Sequence, residues 1–261
     1  MESWPSLIAA TRKGLLELDP AAPRLFQRGH FLAEPVTAFC EDPATGAWLA
    51  ALSLGHFGVK LHRSDDRGDT WRELTPPAFA KVEGDDGPSV RMIWTLEADG
   101  KGRLWAGTLP GALFRSEDGG ETWSLVESLW NVPERADWFG GGYDHPGIHS
   151  ILIDPRDRDR LTVGVSCGGV WRTEDAGASW RLGGEGLRAA YMPPGMVDAR
   201  HIQDPHRLAT NDRDPEVVWC QHHNGIFRSE DGGDTFHEIE TVEPSFGFAV
   251  AVDPEDADIA W

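Results

Sequence analysis

The sequence predicts an all-β fold, a β-propeller built from four-stranded antiparallel blades. Two observations predict it. A nine-residue motif recurs four times at nearly constant spacing, and short apolar segments separated by turns precede each copy. The composition agrees, because 261 residues with 30 Gly, 18 Pro and 12 Trp suit many tight turns and sheet-to-sheet packing.

The repeated motif reads R-[ST]-x-D-x-G-x-[TS]-[WF]. Its copies occupy residues 63–71, 115–123, 172–180 and 228–236. A hydroxyl residue followed two positions later by Asp supplies acceptors for backbone N–H groups in a tight turn, and the Gly allows a positive φ. The Thr and Trp that follow are good strand residues. The motif therefore predicts the hairpin between the third and fourth strands of each blade.

Three apolar segments lie upstream of each motif and supply the other strands of a blade. First strands are expected at 36–39, 90–96, 148–153 and 206–209. Second strands are expected at 48–54, 104–108, 161–166 and 217–220. Third strands are expected at 59–62, 112–114, 170–171 and 226–227. These segments predict one β-propeller domain over 1–261, with complete blades at about 35–75, 89–127, 147–183 and 205–240.

Both ends of the chain are expected to hold partial blades. Segments 6–10 and 15–18 resemble strands of a first blade at about 6–32 whose motif has decayed. Segment 246–261 repeats the first-strand pattern of 148–163, with Asp253-Pro254 matching Asp154-Pro155 at the turn. Blade six, at 245–261, is therefore expected to be partial. We expect a ring of six or seven blades in the full protein, rather than a ring of five closed by 246–252.

The charge balance excludes several classes of partner. Lys and Arg total 24 against 43 Asp and Glu, for a net charge of −19 and an acidic protein. Such a surface repels phosphate backbones and anionic lipid, so no nucleic acid or membrane partner is expected. No secretory leader is evident, and three cysteines are too few for a disulfide framework. A cytoplasmic location is the expectation.

The S-x-D-x-G-x-T-W box resembles the Asp-box, or BNR repeat, of sialidase-like β-propellers. The resemblance covers residues from about 36 to 239 and extends to bacterial BNR-repeat, glycosyl-hydrolase-like proteins. It implies the propeller fold. It does not imply one activity, because glycosidases, sorting receptors and photosystem assembly factors all carry these boxes.

Within this superfamily, a true sialidase would use an arginine triad, a Tyr–Glu pair and an aspartic acid. The match to that set is poor. Arg12 lacks the proline of the usual R-I-P context, and Glu185 and Arg188 follow no spacing that the sialidase mechanism demands. Sialidase activity itself is therefore not expected, although a related glycoside hydrolase remains a candidate.

Strand order sorts the loops into two faces. Turns between second and third strands share one face with the blade-to-blade connections, and three of these connections are long: 75–89, 127–147 and 183–205. This face is predicted to hold both tyrosines and seven of the ten histidines: His56, His145, His149, His201, His206, His222 and His223. A concave mouth with convergent polar groups is the default ligand site.

These residues lead to a first hypothesis: a hydrolase or lyase acting on a glycan or another small polar molecule. The expected proton-transfer residues are His149, His206, Tyr143 and Tyr191. Arg91 and Arg188 are expected to bind an anionic part of the substrate. The other expected substrate-binding residues are Asp144, His145, His201, His222, His223 and Trp138.

Two alternatives stay open. A non-catalytic module could bind a protein partner through Trp130 and Trp138, unless these side chains merely fold over the blades. A divalent metal such as Zn, Fe or Mn could be held by His149, His206 or His223 together with Asp144 or Asp204. Each histidine alone equally suits a core or capping role, and Asp204 suits a turn before Pro205. Only one of His222 and His223 is expected to face the mouth.

Overall fold

The computed structural model describes residues 7–19, 21–81, 87–241 and 245–261, and within these ranges the chain forms five antiparallel sheets. Ser6 of the expected first strand, and residues 82–86 of the expected 75–89 connection, lie outside the described residues. The chain divides into two compact units: Met1–Ala106 with Arg115–Ser124, and Gly107–Phe114 with Leu125–Trp261. The single-domain organisation expected from the sequence stays a prediction.

The first unit begins with a three-stranded sheet and a four-stranded sheet. The first contains β1 (Leu7–Thr11), β2 (Gly14–Asp19) and β3 (Ala22–His30). The second contains β4 (Val36–Glu41), β5 (Trp48–Ser53), β6 (Val59–Ser64) and β7 (Arg72–Leu74), with a 3-10 turn at Gly55–Phe57. Leu15, Val36 and Leu52 pack in one apolar cluster, which joins these two sheets.

A third sheet contains β8 (Met92–Ala98), β9 (Leu104–Leu109), β10 (Leu113–Ser116) and β11 (Ser124–Leu125). The short helix α1 (Glu127–Trp130) and a 3-10 turn (Pro133–Asp137) follow it. No helix in the described part of the chain is long and apolar enough to cross a membrane.

The fourth and fifth sheets lie in the second unit. The fourth contains β12 (Ile148–Asp154), β13 (Asp157–Val165), β14 (Gly169–Thr173) and β15 (Arg181–Leu182). The fifth contains β16 (Pro205–Ala209), β17 (Val218–His222), β18 (Gly225–Ser229) and β19 (His237–Ile239), preceded by a 3-10 turn at Arg200–Ile202. Val170, Leu208 and Phe227 are fully buried in a shared core between these sheets.

The recurring motif forms the predicted hairpin between third and fourth strands. In the copy after β10, the Ser116 hydroxyl accepts the Gly120 N–H at 2.9 Å and donates to Asp118 at 2.8 Å. Asp118 in turn accepts the Thr122 N–H and hydroxyl at 2.9 and 2.6 Å. The other three copies repeat these contacts. The hydrogen bonds from Thr122 and Ser116 hold the pKa of Asp118 at about 2.

The C-terminal segment forms the expected start of another hairpin. Ala251 and Trp261 exchange both backbone hydrogen bonds at 2.9 Å, and Val252 bridges Ala260. Asp253 accepts the Glu255 N–H at 2.8 Å, as Asp154 accepts the Arg156 N–H at 2.9 Å, so the two turns match as predicted.

Candidate functional site

The candidate site lies in the second unit, at the end of the fourth and fifth sheets where β13 turns into β14 and β17 turns into β18. Its centre is Asp204, the last residue of the connection from β15 to β16. Four other side chains surround it, and together we call these five the Asp204 cluster: Asp204, His206, His223, Tyr191 and Cys167.

One oxygen of the Asp204 carboxylate is fixed by the β13–β14 turn. Oδ1 accepts the Ser166 hydroxyl at 3.1 Å and the Cys167 N–H at 3.0 Å. Cys167 has a φ of 48°, a left-handed conformation that costs a non-glycine residue free energy and recurs at functional sites. This backbone turns both donors onto the carboxylate, whose side chain is only 6% exposed.

The other carboxylate oxygen faces two imidazoles. Oδ2 lies 3.3 Å from Nε2 of His206 and 3.5 Å from Nδ1 of His223. The far nitrogen of His206, Nδ1, lies 2.6 Å from the carbonyl oxygen of Gly247. Because a carbonyl only accepts, Nδ1 carries a proton, and Nε2 donates to Asp204 when the ring is doubly protonated.

Backbone hydrogen bonds from neighbouring loops hold this arrangement in place. The Asp204 N–H donates to Nε2 of the buried His222 at 3.2 Å, and the His223 N–H donates to the Asp204 carbonyl at 3.1 Å. Ala190 donates its N–H to the Asn224 side-chain oxygen at 2.8 Å, which ties the segment bearing Tyr191 to the β17–β18 turn. The cluster is therefore built on paired strand ends and not on an isolated loop.

The entrance to the cluster is formed by its two partly exposed members. The His223 side chain is 40% exposed and Tyr191 is 42% exposed, and their rings are 4.6 Å apart. Burial, followed by the charge of Asp204, raises the pKa of the Tyr191 hydroxyl and raises that of the Cys167 thiol to about 12. Cys167 is therefore a neutral, buried thiol.

Electrostatics favour a charged carboxylate. Burial raises the pKa of Asp204, but hydrogen bonds from His206 and Cys167 outweigh it and set that pKa at about 2. For His206, burial lowers the pKa, but the contacts with Asp204 and Gly247 outweigh burial and the net shift is upward. The site is consequently an anionic centre that favours a positive charge beside it.

A glycine-rich segment covers one side of the carboxylate. A Cβ atom on Gly141 would lie 3.0 Å from the Cys167 sulfur and 3.5 Å from Oδ2 of Asp204. On the adjacent Gly142 it would meet nothing within 4 Å. The chain therefore approaches the cluster at Gly141 more closely than a side chain would easily permit.

The two predicted catalytic histidines occupy different environments, although the buried His149 interacts with the backbone of Pro205, between Asp204 and His206. His206 lies in the cluster, whereas His149 on β12 is 3% exposed, and its Nδ1 is 2.8 Å from the Ser150 hydroxyl. Burial lowers the pKa of His149 to about 3, so the ring is neutral. The predicted catalytic role of His149 stays a prediction, and its position is that of a core side chain.

The remaining predicted residues are dispersed. The pair His222–His223 follows the expected alternation, because His222 is fully buried while His223 faces the cluster. His201 forms an ion-pair contact with Asp137 at 3.3 Å. Arg91 lies directly before β8, in the other compact unit. Exposed or half-exposed positions on the connections of the second unit hold Tyr143, Asp144, His145 and Arg188.

The loop tryptophans pack against the protein itself. Trp138 is 8% exposed and lies 5.8 Å, ring to ring, from Trp171 of β14. The Arg135 guanidinium stacks 3.5 Å from the Trp130 ring, and burial lowers the pKa of that arginine to about 10. These positions correspond to side chains folded over the sheets.

Sequence reasoning considered Asp204 only as a turn residue or as a metal ligand beside the histidines, and it did not select Ser166, Cys167 or Gly247. The sequence gives little indication of these three residues. The S-C-G-G turn offers two donors only because Cys167 adopts a positive φ, which its residue type does not suggest. Gly247 acts through its carbonyl oxygen, and no side chain marks such a position.

Comparison with known proteins defines the class. The BNR/Asp-box repeat model matches residues 114–125. Solved structures show the β-propeller fold: a GH74 xyloglucanase from Xanthomonas campestris gives a TM-score of 0.65 at 20% identity, covering 98% of this chain and 39% of that one. The GH74 enzyme of Niastella koreensis gives 0.65 at 18% identity, covering 98% and 38%. The resemblance to Asp-box β-propellers is confirmed.

Two relatives are xyloglucanases by name. An oligoxyloglucan-reducing end-specific xyloglucanase from Emericella nidulans is 30% identical over 118 residues, which are 45% of this chain and 13% of that protein. A xyloglucanase from Paenibacillus sp is 33% identical over 152 residues, 52% of this chain and 14% of that protein. The chain thus matches about one seventh of the length of these curated relatives and is similar to them over about half of its own length.

Proposed function

We propose that the chain carries the substrate site of a hydrolase-type enzyme that acts on a glycan or another small polar molecule. The observation that carries the proposal is the convergence of Asp204, His206, His223 and Tyr191 at one end of the fourth and fifth sheets. The relatives support the substrate class, since they are xyloglucanases.

The exposed and buried members of the cluster take different parts. His223 and Tyr191 contact the substrate, because a ring with a polar edge offers both a stacking face and hydrogen bonds to hydroxyl groups. Asp204 and His206 lie behind them, 6% and 8% exposed, and act on the group that reacts.

The reaction differs from a two-carboxylate glycosidase mechanism. That mechanism requires a pair of carboxyl groups about 5–9.5 Å apart, one of them a proton donor. The Asp204 cluster contains one carboxylate, flanked by imidazoles. We therefore propose hydrolysis by a water molecule activated at the cluster, with a lyase reaction on the same substrate class as the second outcome to test.

The test is a binding and turnover panel with matched variants. Xyloglucan oligosaccharides, other neutral and acidic oligosaccharides and small sugar acids are titrated by calorimetry, and product release is followed by mass spectrometry. We expect one class to bind, and H223A and Y191F to weaken that binding about tenfold or more. H237A is the control, because His237 is an exposed residue of β19 outside the cluster.

Two results would overturn this proposal. One is a ligand whose affinity is the same in wild type, H223A and Y191F, because the site would then lie elsewhere. The other is a protein partner captured by the chain with no small molecule bound, which would favour the non-catalytic module instead.

A further inference from the structure

Three ligand-type side chains of the cluster lie close together, and the carboxylate oxygen is at a coordination-shell separation from each imidazole. Oδ2 of Asp204, Nε2 of His206 and Nδ1 of His223 all lie within 4.8 Å of one another. The two separations from Oδ2 are 3.3 and 3.5 Å. A tetrahedral ion with bonds of about 2.0–2.1 Å holds its ligands roughly 3.3–3.4 Å apart. The same separations are longer than charge-assisted hydrogen bonds, which are about 2.7–2.9 Å.

We propose that Asp204, His206 and His223 bind one divalent transition-metal ion of the zinc class. The donor set is two imidazole nitrogens and one carboxylate oxygen, which suits Zn²⁺ and Fe²⁺ far better than Mg²⁺ or Ca²⁺. Three protein ligands leave a coordination position open, and the partly exposed His223 places it toward the entrance. An open fourth position is typical of catalytic rather than structural zinc sites.

The hydrogen-bond partners of the proposed ligands support this assignment. Metal-bound histidines usually donate their second N–H to a carbonyl or carboxylate, which fixes the tautomer. His206 does this toward the carbonyl of Gly247 at 2.6 Å. Oδ1 of Asp204 is similarly fixed by the Ser166 hydroxyl and the Cys167 N–H, leaving Oδ2 for the ion.

A protonated His206 also fits its two contacts, because an imidazolium donates one N–H to the Gly247 carbonyl and the other to Oδ2 of Asp204. A divalent cation bonds all three ligand residues at once and neutralises the buried carboxylate. The metal titration described below distinguishes these two arrangements.

The inference uses the same side chains as the proposed function but does not depend on the substrate. A protein that binds the metal and no glycan would sustain the metal site and refute the proposed function. A metal-free protein that binds and cleaves a glycan, with chelator having no effect, would support the proposed function and refute the metal site.

The test is metal binding by the full chain. Protein stripped with chelator is titrated with Zn²⁺ by calorimetry, and Co²⁺ is added in a parallel series to report ligand number and geometry by visible absorption. We expect one ion per chain and a tetrahedral or five-coordinate Co²⁺ spectrum. Affinity should fall on the order of a hundredfold or more in D204N and H223A.

H237A, which removes an exposed histidine of the same sheet outside the cluster, should bind as wild type does. Circular dichroism of each variant verifies the fold, and H206A serves if D204N fails to fold. The proposal is overturned if folded wild type binds no Zn²⁺ at a one-to-one ratio. It is equally overturned if H223A and H206A both retain wild-type affinity.

Discussion

Nε2 of His206 lies 3.3 Å from Oδ2 of Asp204, with both side chains less than a tenth exposed. These residues are two positions apart, at the point where the long connection enters β16. Asp204 is the last residue before β16 and His206 is the second residue of that strand, whose pairing with β17 shifts register between Pro205 and Arg207. The start of one strand thereby supplies two of the three proposed metal ligands.

The close approach of Gly141 to this pair yields a first prediction. In G141A the new methyl group would lie 3.0 Å from the Cys167 sulfur, which must shift and carry the Asp204 contacts with it. We expect Zn²⁺ affinity to fall about tenfold with little change in thermal midpoint. G142A is the control, since its methyl group meets nothing within 4 Å. Equal affinities in the two variants would contradict the prediction.

The hydroxyl at the start of each Asp box should stabilise its hairpin. Ser116 is 1% exposed and accepts the buried Gly120 N–H at 2.9 Å, so S116A leaves that donor without its partner. The free energy of unfolding should fall by about 1–3 kcal/mol, measured by chemical denaturation. Ser124 is exposed on β11, and S124A should change the free energy of unfolding by less than about 0.5 kcal/mol. An S116A protein with an unchanged free energy of unfolding would contradict the prediction and show that water replaces the hydroxyl.

Asp118 predicts how stability depends on pH. Its pKa is about 2 in the folded chain, against an ordinary value of 3.8. The stability that the ionised carboxylate contributes is therefore present above pH 4 and is lost as the pH falls toward 2. D118N should therefore be less stable than wild type at pH 6, and the difference should shrink between pH 4 and 2. Thermal midpoints at several pH values measure this. A difference that stayed constant down to pH 2 would contradict it.

His149 should act in the core. H149Q disturbs a buried ring that packs on Gly164 and contacts the Ser150 hydroxyl, so we expect a loss of about 1–3 kcal/mol in unfolding free energy. Zn²⁺ affinity and ligand binding should remain at the wild-type level when measured below the unfolding temperature. An H149Q protein with normal stability but lost activity would instead support the catalytic role expected from the sequence.

The sheets were predictable because their signals are local. Each Asp box encodes its own hairpin within nine residues, so the strands on either side follow from the motif. Strand order then assigned His206, His223 and Tyr191 to one end of the sheets, and the structure brings these three together. Both steps use only chain connectivity and the alternation of side chains.

The centre of the site was not predictable in the same way. His149 and His206 both lie near the start of a first strand, yet one packs on Gly164 while the other reaches Asp204. Gly164 lies on β13, which pairs with the strand of His149, whereas Asp204 lies in the connection before β16, and the position of a histidine near the start of its strand does not specify which of these it contacts. The prominence of Asp204 depends on the positive φ of Cys167, which is set by tertiary packing.

The stabilising hairpins and the candidate site lie at different positions along the four-stranded sheets. Hairpins that stabilise the sheets sit after the third strand, whereas every member of the Asp204 cluster sits in a second-to-third turn, in a connection between sheets or at the start of the strand that follows it. Substitutions in these turns and connections therefore leave the hydroxyl–aspartate hydrogen bonds of the hairpins in place.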